Sequence, residues 1–207
     1  MTTVLSVLRS GREFRPRHVV RLRDQVLAHL PGADFRCLSD VEVPGVACLP
    51  LKYSWPGWWA KMEVFRPSIK GPALFFDLDT SIVGDLSDIA AIDRLAIMRD
   101  VYRPAGLQSS MMYLPEAARE RIWLEWIERP DHWMRVFNQG GDQAFLERFW
   151  LDRAARWQDE LPGQVVSYKA HVRHAVRKDR ETGDGNIPDG ARVVVFHGLP
   201  RPWQIGW

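Results

Sequence analysis

The stretch from residue 73 to residue 79 constrains the fold more than any other part of the sequence. Residues 73–76 are Ala-Leu-Phe-Phe, an apolar run without polar alternation, and Asp77 and Asp79 follow directly. Such a run is typical of a central strand that is covered on both faces. Open α/β sheets bind their ligands at the carboxyl ends of strands. The stretch therefore predicts a layered α/β fold with a carboxylate-bearing site at one edge of its sheet.

The segments that precede this strand alternate between strand and helix patterns. Residues 3–8 are rich in β-branched residues and leucine, which predicts a strand. Apolar residues recur at near-helical spacing over residues 16–30, and Pro31-Gly32 ends that run. Residues 35–38 and 46–51 are further strand candidates. This order favours an α/β sheet in which the first helix crosses over the sheet.

The rest of the chain adds elements of both kinds. A helix is predicted over residues 58–67, where apolar side chains recur and Arg66-Pro67 ends the run. The other predictions are helices over residues 116–128 and 142–156, strands over residues 109–114, 164–168 and 192–196, and a polar loop over residues 178–190. No internal repeat is visible in the sequence. We therefore expect one domain over residues 1–207, with a mixed, mainly parallel central sheet flanked by helices.

Composition excludes several classes of function. The chain carries 28 basic and 26 acidic side chains that are mostly interspersed, so no long field of one sign exists to bind nucleic acid. The exception is the basic stretch over residues 171–180, whose charges suit phosphates or anionic lipid but are more typical of a solvated face. No window approaches the roughly 18 apolar residues of a spanning helix, and Cys37 and Cys48 lack zinc-ligand spacing. We expect a cytoplasmic protein without an integral membrane segment or an apolar leader.

An Asp-x-Asp pair at the end of a buried strand has a specific chemical use. Asp77 and Asp79 lie within one short turn, an arrangement that can share a hard divalent cation with a bound diphosphate. The alternative is structural: one aspartate caps the next element and the other pairs at the surface. Burying a carboxylate without a partner is costly, which favours a ligand or metal role for this pair.

A second candidate segment, residues 197–203, follows the last predicted strand. It reads His-Gly-Leu-Pro-Arg-Pro-Trp and offers four useful groups. These are a metal ligand, a backbone that can approach phosphate, a cation for phosphate oxygens and a rigid aromatic wall. The alternative is a turn that is stiffened by its two prolines.

Five segments, in order along the chain, resemble the glycogenin-like family of retaining glycosyltransferases. They are WWAKMEVFRP (58–67), LFFDLDTSIVGDL (74–86), QSSMMYL (108–114), GGDQAFL (140–146) and GLPRPW (198–203). In this resemblance Lys61 matches the family's donor-binding lysine, and Asp142 lies in its Gly-Asp-Gln motif, which begins a helix beside the sugar. Arg201 stands where the family's Gly-x-x-Lys-Pro-Trp motif has lysine.

The resemblance implies the GT-A fold and a metal-dependent glycosyltransferase. The implied donor is a nucleotide-diphosphate sugar with uridine as the expected base, the implied outcome is retention, and the acceptor is unidentified. The implied cofactor is Mn²⁺ or Mg²⁺. The implied catalytic residues are Lys61, Asp142 and Gln143, and the implied metal ligands are Asp77, Asp79 and His197. The implied donor-binding residues are Leu8, Arg9, Lys61, Asp77, Leu78, Asp79, Ser109, Ser110, Gly198, Arg201 and Trp203.

Two other functions are compatible with parts of the sequence. FFDLDTS, residues 75–81, is similar to the motif of haloacid-dehalogenase-type phosphatases, in which Asp77 would attack phosphorus. That family has the motif on its first strand, whereas 76 residues precede Asp77 here. The other alternative is a catalytically inactive module that binds a nucleotide sugar or carbohydrate, because tryptophans stack on flat ligands. Helical spacing nevertheless predicts that most of the following tryptophans are core residues: Trp55, Trp58, Trp59, Trp123, Trp126 and Trp133.

Overall fold

The computed structural model describes residues 1–177 and 180–207, with two sheets and a short hairpin surrounded by helices. The strands are β1 (Thr3–Leu8), β2 (Asp34–Ser39), β3 (Ala47–Pro50), β4 (Ala73–Phe76), β5 (Thr80–Ile82), β6 (Ala96–Arg99), β7 (Leu107–Leu114), β8 (Ala155–Arg156), β9 (Val165–Ser167), β10 (Val176–Arg177), β11 (Arg180–Glu181) and β12 (Val193–Val195). The α-helices are α1 (Pro16–His29), α2 (Ser87–Ala90), α3 (Glu116–Ile127), α4 (Pro130–Val136), α5 (Gly141–Trp150) and α6 (Trp157–Glu160). Residues Gly57–Phe65 and Pro202–Gln204 form 3₁₀-helices, and Tyr168–Val172 forms a π-helical turn.

The central sheet has seven strands in the order β3-β2-β1-β4-β7-β6-β8. The pairs from β3 to β4 are parallel, β7 is antiparallel to both β4 and β6, and β8 is parallel to β6. This is the mixed, mainly parallel sheet that the sequence predicts. Strand β4 lies in its middle, and all four of its residues are buried.

The alternating side chains of β4 pack into two different cores. Leu74 and Phe76 join a cluster beneath α1, whereas Phe75 joins a cluster with the 57–65 helix, α3 and α5. The second cluster is rich in aromatic rings, among them Trp126, which is stacked on Trp59 at 5.2 Å between centroids. Layers on both faces explain why the sequence of β4 has no polar alternation.

A smaller sheet, β5-β12-β9, begins where β4 ends. Strand β12 is antiparallel to β5 and parallel to β9. The turn between β4 and β5 is tied to β7 by the Asp77 N–H, which donates to the Ser110 carbonyl at 2.8 Å, and to β12 by the Phe196 N–H, which donates to the Asp79 carbonyl at 3.3 Å. The Asp-x-Asp turn is therefore held at the junction of the two sheets.

Several predicted elements are confirmed, among them the strands at Thr3–Leu8 and Ala73–Phe76 and the helix that begins at Pro16. The predicted helix over residues 142–156 is wrong at its end, because α5 stops at Trp150. Ala155 instead pairs with Ala96 in the central sheet, and its N–H donates to the Leu95 carbonyl at 2.9 Å. Sheet pairing here overrides the apolar spacing that favoured a longer helix.

The segment over residues 58–67 is helical as predicted, but it is a 3₁₀-helix that ends at Phe65. Part of the predicted loop over residues 178–190 falls on residues 178 and 179, outside the described residues, and β10 and β11 pair on either side of them. Strand β6 and helix α4 were not predicted. Across the described ranges, no helix is both long enough and apolar enough to cross a bilayer.

Candidate functional site

A cavity of about 690 Å³ opens at the carboxyl end of β4. Its walls come from the loop after β1, the 57–65 helix, the turn after β4, strand β7, the start of α5 and the C-terminal segment. The sequence-predicted residues that line it are Arg9, Lys61, Asp77, Leu78, Asp79, Ser109, Ser110, Asp142, Gln143, His197, Gly198 and Arg201. The fold thus brings together, in one concave surface, residues from six separate sequence segments.

Lys61 is the centre of a group that we call the lysine cluster: Lys61, Asp77, Ser109 and Asp142. The Lys61 ammonium lies 3.0 Å from each carboxylate oxygen of Asp77 and 3.1 Å from Oδ2 of Asp142. It also donates to Ser109 Oγ at 3.2 Å, and that hydroxyl donates to Asp142 Oδ2 at 2.7 Å. The ammonium therefore bridges two carboxylates and a hydroxyl.

Regular structure holds each member of the lysine cluster in place. Ser109 lies within β7, and Asp77 follows β4 and is bonded through its backbone to β7. Asp142 lies in the first turn of α5, where the helix dipole favours a negative charge. Lys61 is carried by the 57–65 helix, whose neighbours Ala60 and Met62 are fully buried.

Burial and charge act against each other in this cluster. The pKa of Asp77 is raised to about 6: burial raises it most, the charge of Lys61 lowers it, and the carboxylates of Asp79 and Asp142 raise it. Burial lowers the pKa of Lys61, but the carboxylates of Asp142 and Asp77 outweigh it, so the pKa of Lys61 is raised overall. Lys61 is therefore a permanent cation that reduces the repulsion between the two aspartates.

A second group, which we call the arginine cluster, consists of Glu13, Asp79 and Arg201. The Arg201 guanidinium contacts the carboxylates of both Asp79 and Glu13, and its Nε donates to Glu13 Oε2 at 3.1 Å. The guanidinium carbon of Arg201 lies 5.2 Å from the centroid of the Phe14 ring. Side-chain exposure is 7% for Asp79 and 46% for Glu13, so this cluster reaches from the cavity floor to solvent.

Trp203 fixes the C-terminal segment to the start of α1. Its ring is stacked on His18 at 3.7 Å with an interplanar angle of 8°, and the Phe14 ring meets its edge at 5.7 Å. Trp203 is not among the residues that line the cavity. Leu8 also lies outside the lining, because its side chain is fully buried in the core beneath α1. Of the residues implied for donor binding, these two do not line the cavity.

His197 is held by hydrogen bonds on the cavity wall. Its Nε2 lies 2.6 Å from Ser167 Oγ, and its carbonyl accepts from the Lys169 ammonium at 3.0 Å. Burial lowers the pKa of His197, and the charge of Lys169 acts in the same direction. The imidazole is therefore neutral near pH 7, the form that a metal ligand requires.

The donor atoms on the cavity floor suit a hard divalent cation. Mg²⁺ and similar ions are commonly bound by one or two carboxylates together with substrate phosphates, so a complete protein cage is not needed. Asp77 and Asp79 supply such a pair. In the part of the chain that the structure describes, no three His, Cys, Asp or Glu side chains are already grouped around one point that could hold a metal ion. The assignment of Asp77, Asp79 and His197 as metal ligands stays a prediction.

Trp58 and Glu13 line the cavity but are not among the site residues predicted from the sequence. Most of the six tryptophans named above, Trp58 among them, were predicted to be core residues, yet Trp58 is 51% exposed. Trp58 stands three residues before Lys61, and in a 3₁₀-helix this spacing would have placed the two side chains on the same face. Glu13 pairs with Arg201 across 188 residues, and no local pattern marks that contact.

Searches against protein-family models and against curated proteins found no match. Solved structures do match. They include the apo form of the glycosyltransferase GlyE of Streptococcus pneumoniae TIGR4, with a TM-score of 0.69 and 15% identity over 98% of this chain and 56% of that chain. They also include the galactosyltransferase LgtC in complex with donor and acceptor sugar analogs, with a TM-score of 0.63 and 11% identity over 98% and 89% of the two chains.

Further matches include the bifunctional glycosyltransferase WbbM, with a TM-score of 0.61 and 11% identity over 98% of this chain and 46% of that chain. The chain spans about half the length of the two GlyE structures, 46% of one and 56% of the other. At these identities the comparisons establish the fold: this chain has the mixed α/β GT-A architecture of these glycosyltransferases.

Proposed function

We propose that this chain is a metal-dependent glycosyltransferase that moves a sugar from a nucleotide-diphosphate donor to an acceptor hydroxyl with retention. The expected base of the donor is uridine. One observation carries the proposal: Asp77 and Asp79 lie beside two cations, Lys61 and Arg201, in a cavity at the carboxyl end of the central strand. The fold shared with known glycosyltransferases supports it.

The charge balance of the cavity supports a divalent cation between protein and donor. A diphosphate and the carboxylates of Asp77 and Asp79 repel each other unless a cation lies between them. These two aspartates would hold Mn²⁺ or Mg²⁺, with His197 as the candidate third ligand. When bound, such an ion would act as a Lewis acid for the negative charge of the leaving diphosphate.

Arg201 is suited to bind the donor's phosphate oxygens. A guanidinium can donate to two phosphate oxygens at once, and Arg201 already holds two carboxylates in this way. In the proposed donor complex it leaves Asp79 and turns to the diphosphate, while Glu13 keeps it near the cavity. The C-terminal segment would then cover the diphosphate.

The lysine cluster is suited to orient the transferred sugar. Asp142 and Gln143 line the cavity at the start of α5 and can hydrogen-bond sugar hydroxyls. The Lys61 ammonium and Ser109 hydroxyl fix Oδ2 of Asp142, which leaves the other carboxylate oxygen for the sugar. Such a fixed group costs little reorganisation when the sugar binds.

Turnover of nucleotide sugars tests the proposal. UDP release from UDP-glucose, UDP-galactose and UDP-N-acetylglucosamine is measured with Mn²⁺, with and without mono- and disaccharide acceptors. We expect release from at least one donor, a loss of about 100-fold or more in Asp142→Asn, and no loss in Asp152→Asn, an exposed aspartate.

Two outcomes would contradict the proposal. Binding of nucleotide sugars without turnover of any donor would identify a carbohydrate-binding module. Hydrolysis of p-nitrophenyl phosphate through an acyl phosphate trapped on Asp77 would identify a phosphatase.

A further inference from the structure

Trp58 differs from most tryptophans of this protein in its exposure. Six tryptophans are at most 7% exposed, whereas Trp58 is 51% exposed at the mouth of the cavity. A large aromatic ring that is half exposed lacks part of the stabilisation that full burial would give it. Exposed aromatic surface inside a concave site is typical of a ligand contact.

The backbone directs the Trp58 ring and the Lys61 ammonium toward the same space. In a 3₁₀-helix the side chains at positions i and i+3 eclipse each other, so Trp58 lies on the same face of the 57–65 helix as Lys61. Lys61 occupies the buried end of this face and Trp58 the open end. A molecule that rests on the indole therefore lies next to the lysine cluster.

A close contact with α5 fixes the position of the indole. A Cβ built on Gly141 would lie 2.6 Å from Trp58 Nε1 and 2.7 Å from its Cδ1, so only glycine fits beside the ring. Gly141 also has φ of +61°, which favours glycine independently. The five-membered edge of the indole thus packs against the residue that directly precedes Asp142.

The cavity that Trp58 lines also carries neutral hydrogen-bonding side chains, those of Ser54, Gln139 and Gln143. A guanidinium lies close by as well, because a Cβ built on Gly57 would lie 3.5 Å from Arg12 Nη1. An exposed apolar ring in a cavity that offers amides, a hydroxyl and a guanidinium matches a pyranose, which has an apolar C–H face and a rim of hydroxyls. A lipid chain would need a wider apolar surface.

We infer that Trp58 is the stacking platform for the acceptor and that the acceptor is itself a carbohydrate. The inference rests on the proposed function and adds the chemical class of the acceptor. Trp58 is assigned to the acceptor because it lies at the open mouth, whereas the carboxylates proposed to hold the donor diphosphate lie at the floor. The acceptor hydroxyl would then face Asp142 and Gln143.

Binding of disaccharides to the UDP complex tests this inference. Lactose, cellobiose and maltose are titrated by saturation-transfer NMR against the wild type, Trp58→Ala and Trp58→Phe, each with UDP and Mn²⁺. We expect at least one disaccharide to bind, about tenfold weaker binding in Trp58→Ala, and recovery to within about threefold in Trp58→Phe, which restores an aromatic face. Leu124→Ala removes another exposed apolar side chain, 67% exposed on α3, and should change nothing.

The UDP affinity of each variant, measured in the same experiment, separates the possible failures. If UDP binds the wild type but no disaccharide does, the acceptor is not a sugar and the inference fails while the proposed function stands. Equal disaccharide affinity in Trp58→Ala and wild type also overturns it. A parallel tenfold loss of UDP affinity in Trp58→Ala would assign the ring to the donor instead. If UDP fails to bind the wild type with Mn²⁺, the proposed function fails and this inference fails with it.

Discussion

The lysine cluster and the arginine cluster lie at the same edge of the sheet, but their members come from different kinds of structure. Lys61, Asp77, Ser109 and Asp142 are carried by a helix, two strands and a helix start that pack on one aromatic core. Arg201 lies in the C-terminal segment, just before a three-residue helix, and its partner Glu13 is half exposed in a loop. The first cluster is preorganised by the fold, whereas the second depends on side-chain contacts.

In the proposed function, this difference would separate two tasks within one cavity. The rigid lysine cluster would hold a sugar in a fixed orientation for transfer. The Asp79–Arg201 ion pair would be exchanged for contacts to a diphosphate whenever that ligand enters or leaves. Replacing one ion pair by another costs less free energy than creating an unpaired charge, so the arginine cluster can open and close.

The largest effect is expected from Lys61→Ala, which breaks the rigid cluster. It leaves Asp142 with 6% side-chain exposure and no ammonium beside it, and loss of one partner of a buried pair costs about 3–5 kcal/mol. We expect the melting temperature to fall by about 10 °C and sugar transfer to be lost. Lys70→Ala is the control, because Lys70 is 73% exposed. Equal melting temperatures for the two variants would show that the lysine cluster is not structurally coupled to the fold.

A smaller loss of stability, but a clear loss of ligand affinity, is expected from Asp79→Asn. The change is nearly isosteric and removes one carboxylate charge where the cation is proposed, so Mn²⁺-dependent UDP affinity should fall about 10- to 100-fold. The melting temperature should change by less than about 3 °C, since Arg201 keeps Glu13 as a partner. Calorimetric titration measures the affinity, and Asp93→Asn, 86% exposed, is the control. Unchanged affinity would remove Asp79 from the metal site.

Two substitutions, Arg201→Ala and Arg201→Lys, separate the contribution of the positive charge of Arg201 from that of its second hydrogen bond. We expect UDP affinity to fall about tenfold in Arg201→Ala, because a bidentate contact to phosphate oxygens is lost. Arg201→Lys should recover part of that affinity, since a point cation remains but the second hydrogen bond does not. If Arg201→Ala binds UDP more tightly than the wild type, the guanidinium serves mainly to block Asp79.

The smallest effect concerns pH and the anchor of the C-terminal segment. The pKa of His18 is lowered to about 4, first by burial and then by the charges of Arg17, Arg21 and Arg15, whereas the charge of Glu13 opposes them. Between pH 6.5 and 4 the unfolded chain therefore binds a proton that the folded chain does not, and stability falls as the pH falls. The melting temperature of the wild type should drop by about 2–4 °C more than that of His18→Gln between pH 7 and pH 5.

Glutamine at position 18 can still accept the Arg15 backbone N–H, which His18 Nδ1 accepts at 3.2 Å, but it does not titrate. His132→Gln, an exposed position on α4, should retain the wild-type pH dependence. The same pH dependence in His18→Gln and wild type would show that His18 does not contribute to it.

Features that depend on local pattern could be predicted from the sequence. The bounds of β4 followed from four consecutive apolar residues. The location of Asp77 at the cavity followed because open α/β sheets bind ligands at the carboxyl ends of their strands. Features that depend on distant partners could not be predicted. Lys61 meets Ser109 across 48 residues, and Arg201 meets Glu13 across 188, so their pairing is set by the fold and not by spacing.

The exposure of Trp58 marks a third limit of prediction from sequence. Helical spacing predicted that most of six tryptophans are core residues, but it did not tell which of them are exposed. In the 3₁₀-helix that forms, three residues complete a turn, so Trp58 lies on the face of Lys61 at the cavity, whereas Trp59 packs in the aromatic core.

Calorimetric titration of UDP into the wild-type protein, with Mn²⁺ and then with a chelator, measures whether a cation joins the diphosphate to the aspartates. We expect UDP to bind at least about tenfold more tightly with Mn²⁺, because the diphosphate can approach Asp77 and Asp79 only with a cation between them. We also expect this difference to disappear when both aspartates are changed to asparagine. Equal affinity for UDP with Mn²⁺ and with chelator in the wild type would contradict the proposed metal site.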